Sequence, residues 1–121
     1  MIAAVHVLIY SQDPAADRAF LRDVIGWDRY VEDRGPGSGW LIFKLPPAEL
    51  GVHPEMGNGP VHELSLICED IEATVAELTG KGVEFTAPVT DAGFGLITTL
   101  RLPGGGELQL YQPKHQIAYD L

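Results

Sequence analysis

At 121 residues, 45% hydrophobic and 21% charged, the chain has the length of one ordinary soluble domain and enough apolar material for a core. Eight basic side chains against seventeen acidic ones give a formal charge of −9, and the Lys and Arg are scattered, which argues against nucleic-acid phosphates as partners. No basic and apolar leader pattern opens the chain and no apolar run approaches the ~18 residues of a membrane span, so neither secretion nor a membrane partner is expected and a cytoplasmic location is the default.

Residues 3 to 10 alternate Val5, Val7 and Ile9 on one face with Ala4, His6, Leu8 and Tyr10 on the other, the period of a strand. Asp13-Pro14 then starts a helix, with a carboxylate to accept from free backbone N–H groups and proline at the first helical position. Ala16, Phe20, Leu21 and Val24 form its apolar stripe, and Gly26 ends it. A second strand is expected at 27 to 31, a turn at 35 to 39, and a third strand at 40 to 45 that Pro46-Pro47 stops. A short fourth strand follows at 49 to 53, and residues 56 to 60 have the composition of a linker.

The plan then repeats. A strand is expected at 61 to 68, a helix capped by Asp70 and running to Gly80, and strands at 83 to 86, 96 to 102 and 107 to 112. Residues 90 to 95 place Phe94 between two glycines in a loop, and Gly104-Gly105-Gly106 reads as a turn between strands. The tail after Pro113 has no periodicity and is expected to fray or to lie on a neighbour. Cys68 has no partner cysteine and reads as a reduced core thiol. Shifting the first half by 57 positions lays His6 on Glu63, Asp13 on Asp70, Ala16 on Ala73 and Leu21 on Leu78. The expectation is an α+β domain of two βαβββ modules, 1–55 and 61–113, joined at 56–60 and followed by a tail at 114–121. Their strands form a curved, cleft-enclosing mixed sheet with the helices on its outer face.

With His6 seven positions before Asp13, Phe20, Gly26-Trp27, Asp70 with its helix, Lys81-Gly82-Val83 and the closing run from Leu102 to Tyr111, the sequence resembles the vicinal oxygen chelate superfamily. That superfamily holds glyoxalase I, extradiol dioxygenases, fosfomycin resistance proteins and bleomycin-binding proteins. The resemblance implies up to four metal ligands on the concave face, from the first and fourth strand of each module. Here these are His6, Glu49, Glu63 and Gln109, a donor set suited to Ni, Co, Mn, Fe(II) or Zn. His62, one position from Glu63, takes its place if the strand register is shifted. Only one histidine falls in the four slots, which weakens the dioxygenase reading.

Each of these residues also has a plain reading. His6 serves equally as a hydrogen-bonded cleft histidine, Glu63 as the partner of Arg101 or another base, Glu49 as a solvated strand end, and Gln109 as a pocket wall without metal. Trp40, Phe43, Phe94 and Tyr111 are candidate pocket walls that also suit a core, and the loop carrying Phe94 is a candidate lid.

Two functions follow. In the first, a divalent metal binds vicinal oxygens of a small substrate and stabilises an oxyanion while Glu63 or Glu49 moves a proton, in glyoxalase-like isomerisation or lysis. In the second, the cleft is metal-free and sequesters a small hydrophobic or cationic molecule such as an antibiotic. The resemblance implies a homodimer in either case.

Overall fold

A computed structural model describes residue 1, residues 3–33 and residues 40–121. The turn expected at 35 to 39 lies outside the described residues. The first helix, α1, spans Pro14–Phe20 and begins as the sequence predicts: Asp13 accepts a hydrogen bond from the Ala16 N–H at 3.0 Å, and Pro14 occupies the first turn. It continues as a wider π-helical turn, Leu21–Ile25, which Gly26 ends in the left-handed region at φ 91°. Strands β1 (Tyr30–Asp33) and β2 (Trp40–Phe43) follow and pair antiparallel as a two-stranded sheet.

Next come β3 (Ser65–Ile67), the helix α2 (Ile71–Gly80), β4 (Thr90–Asp91), β5 (Gly95–Arg101) and β6 (Glu107–Pro113). The Asp70 carboxylate caps α2 through the Ala73 N–H at 3.1 Å. The four strands form one mixed sheet of order β3-β6-β5-β4, in which β3 runs parallel to β6 and the other pairs are antiparallel. The strand expected at 83 to 86 is reduced to a single bridge between Phe85 and Leu100. Its pairing to β5 is carried by the Thr86 N–H to Thr99 O and the Arg101 N–H to Glu84 O.

Alternation along β5 and β6 sorts their two faces. Leu100, Leu108 and Leu110 are buried, and Leu100 and Leu108 join Leu78 of α2 with Phe20 and Leu21 of the first helical stretch in one core. Each such side chain, when fully buried, contributes about 1.5–3 kcal/mol. Ile97, Thr99, Gln109 and Tyr111 occupy the opposite face and are half-buried.

The two halves differ in how far they are paired. Residues 3–10 and 49–53, both expected as strands, have no regular structure. Their apolar side chains are open, with Val5 80%, Leu50 83% and Val52 93% exposed. Alternation makes a segment ready to be a strand, but a strand exists only where a neighbour takes its backbone N–H and C=O groups.

One joint ties the N-terminal helix to the far end of the chain. The Gln12 N–H donates to Gly104 O at 3.1 Å, and the Gly104 N–H donates to the buried Asp17 carboxylate at 2.7 Å. Gly104 is required there: a Cβ would fall 1.9 Å from Ser11 Oγ and 2.6 Å from Asp17 Oδ2.

Candidate functional site

The face of the sheet turned away from the helices is where the repeat aims its polar side chains. In the parallel pairing of β3 with β6, Ser65 lies beside Gln109 and Ile67 beside Tyr111. The Ser65 hydroxyl donates to Gln109 Oε1 at 3.2 Å. The antiparallel pairing adds Thr99 opposite Gln109 and Ile97 opposite Tyr111. This face therefore mixes an amide, two hydroxyls, apolar side chains and a phenol, a lining typical of a ligand pocket.

Gln109 and Glu63, two of the expected donors, both line an open cleft of about 380 Å³ together with His62, Thr99, Glu107 and, from the N-terminal segment, Leu8, Ile9 and Tyr10. Leu64, next to Glu63, packs on the core. Arg101, named as an alternative partner for Glu63, pairs instead with Glu84 at 3.3 Å.

Glu49 and His6 lie elsewhere. Glu49 faces the C-terminal tail, where its Oε2 accepts from the Ala118 N–H at 2.7 Å and its Oε1 lies 3.6 Å from His115 Nε2. His6 is exposed on the unpaired N-terminal segment. Among the described residues, no three His, Cys, Asp or Glu side chains gather to hold a metal ion. The described residues, as arranged, do not assemble a four-ligand metal centre.

The aromatic side chains divide in the same way. Phe94 and Tyr111 meet edge to face with ring centres 5.7 Å apart, and the Tyr111 hydroxyl reaches Phe94 O at 3.5 Å. Tyr111 is seated by Gly95, where a Cβ would come within 2.3 Å of its ring. Burial, and after it the charge of Glu49, holds the Tyr111 hydroxyl pKa above the ordinary tyrosine value. Trp40 is half exposed on the two-stranded sheet. Phe43 turns instead to the core, with Trp27 at 6.4 Å and Tyr30 at 5.7 Å between ring centres.

His115 was missed by reasoning from the sequence. Its ring centre lies 5.7 Å from that of Tyr111, extending the aromatic row into the tail. The tail at 114–121 has no periodicity to signal this contact, although Tyr111 stands only four residues before His115, and the other neighbour, Glu49, comes from a distant part of the chain. Cys68, expected as a core thiol, is half-buried, and burial pushes its pKa up, away from the reactive thiolate.

Comparison with known proteins places this geometry among relatives. The sequence profile of the Glyoxalase/Bleomycin resistance protein/Dioxygenase superfamily matches residues 3–110. No curated protein matches the sequence. Among solved structures, TnmS3, an antibiotic binding protein from Streptomyces sp. CB03234, superposes with a TM-score of 0.66 at 24% identity, over 94% of this chain and 100% of that one. A lactoylglutathione lyase from Agrobacterium tumefaciens gives 0.60 at 15% identity, over 91% and 92%. A superfamily member from Sphaerobacter thermophilus DSM 20745 gives 0.58 at 24% identity, over 92% and 98%. At these identities the likeness establishes the fold. Among the described residues, no helix is long and apolar enough to cross a membrane.

Proposed function

We propose, from the premise that the chain belongs to the Glyoxalase/Bleomycin resistance protein/Dioxygenase superfamily, that it is a binding protein that sequesters a small, uncharged or cationic aromatic molecule of the antibiotic type. The observation that carries this reading is the half-buried sheet face on which Gln109, Ser65 and Thr99 sit beside Ile97 and Tyr111. Neutral hydrogen-bonding groups among rings and aliphatic chains recognise such a ligand without charge pairing. The formal charge of −9 favours the approach of a cation. The likeness to the antibiotic binding protein TnmS3 points the same way, and a cytoplasmic setting suits the reduced Cys68.

The second reading, a divalent-metal lyase or isomerase of the glyoxalase kind, draws on one observation: Glu63 and Gln109 share a cleft. It requires further donors at that cleft, with His6 and Glu49 the remaining candidates. A homodimer belongs to either proposal, because a second copy is the natural partner for the open residues 3–10 and 49–53.

Tryptophan fluorescence titration with metal-free bleomycin, in buffer containing EDTA, tests the choice. Saturable binding that persists under chelation supports sequestration, and Tyr111→Ala or Gln109→Ala then weakens it by about tenfold each. Binding that needs added Ni(II), Mn(II) or Zn(II), or metal-dependent turnover of lactoylglutathione, favours the enzyme. No binding of bleomycin under any of these conditions rejects that ligand.

A further inference from the structure

We infer that the C-terminal segment from Lys114 to Asp120 forms one wall of the ligand site and that Glu49 is the positioning residue that fastens it. The inference rests on the sheet face being the binding surface, and it gives Glu49 a task other than metal ligation.

Glu49 is the first reason. Its side chain is only 17% exposed, and a carboxylate withdrawn that far from water is costly unless hydrogen-bonded. Its partners come from the tail: the Ala118 N–H at 2.7 Å, at the start of the short 3-10 turn Ala118–Asp120, and His115 Nε2 at 3.6 Å. The second reason is that the tail is held at its other end by the half of the molecule that carries the sheet. Lys114 Nζ contacts Asp91 at 2.6 Å, and the Lys114 N–H donates to Phe94 O at 2.9 Å.

The segment thus runs from the Phe94 loop to Glu49, anchored at both ends. Between the anchors, His115 lies against Tyr111 and Ile117 is half-buried, as is Tyr119 just past the second anchor. Tyr111 belongs to the same face as Gln109 and Thr99. A ligand on that face therefore meets the tail at its Tyr111 end. Releasing the Glu49 anchor removes the hold at Ala118 and opens that end.

Two ligand-free measurements on the full chain read the fastening. Hydrogen exchange at the Ala118 amide rises about five- to tenfold in Glu49→Ala, the loss of one charge-assisted hydrogen bond, while Glu49→Gln, which keeps an acceptor oxygen, gives a smaller rise. Nitration of Tyr111 by tetranitromethane, normalised to the exposed Tyr10, is several-fold greater in Glu49→Ala than in Glu49→Gln; both variants lose the charge that raises the Tyr111 pKa, so the difference between them reads exposure. The wall itself is read by bleomycin, which dissociates faster from Glu49→Ala than from wild type. Ala118 exchange equal to wild type in Glu49→Ala, with nitration equal in Glu49→Ala and Glu49→Gln, overturns the fastening, and changes in both with an unaltered bleomycin off-rate overturn the wall. Failure of wild type to bind bleomycin overturns the ligand assignment, and the wall with it, while the two ligand-free measurements still decide whether Glu49 holds the tail.

Discussion

Single residues settle more of this structure than their exposure suggests. Asp17 is buried and its carboxylate receives the Gly104 N–H, so Asp17→Ala leaves that buried donor without its acceptor. The expected loss is about 1–3 kcal/mol, seen as a lower urea midpoint at unchanged slope. Gly104→Ala meets Ser11 and Asp17 directly and is expected to cost about 1–3 kcal/mol by the same measurement. Tyr111 gives a pH signature. Burial and then Glu49 raise its folded-state pKa above the unfolded value, so the associated stability is full below about pH 10 and is lost as pH rises through the folded value. An ultraviolet titration compared with Tyr111→Phe isolates this ionisation, and Glu49→Gln shifts it downward. The sequence disclosed none of the partners in these three cases. Asp17 looks like one more polar residue on a helix, and only the return of Gly104 to its side makes it a joint.

Elements were legible where their signals are local. Both helix starts follow from Asp13 and Asp70, whose side chains cap the helices they precede, and Gly26 ends the first helical stretch in the left-handed conformation that glycine favours. Asp70→Ala is accordingly expected to lower stability by about 0.5–2 kcal/mol, read as a fall in thermal midpoint. The strands β5 and β6 follow from alternation that a partner strand confirms. Residues 3–10 show the same alternation without a partner strand among the described residues, which is why the pattern overstates them. Even a correct period leaves the neighbour unspecified, and the direction of Glu49 was unreadable for that reason: its partners lie in a tail that carries no pattern at all. Of the candidate site, the pairing of Gln109 with Ser65 and the seating of Tyr111 rest on strand register, which alternation constrains. The aromatic contact of His115 does not.

At the scale of the whole molecule, the open apolar side chains of the N-terminal half form the largest unmet demand. Light scattering is expected to give twice the 13.1 kDa of one chain, and Val5→Glu to return the mass toward that of a monomer. A wild-type protein that stays monomeric at micromolar concentration would remove the dimer from the proposal. The joint at Gly104 has a further consequence during synthesis. Gln12 and Asp17 leave the ribosome some ninety residues ahead of the turn that receives them, and β3 emerges well before the β6 strand that it lies beside. Throughout that interval Phe20 and Leu21 of the first helical stretch lack Leu100, Leu102 and Leu108, the core residues they pack with in the finished chain. Chains truncated before Gly104 should be clients for chaperones.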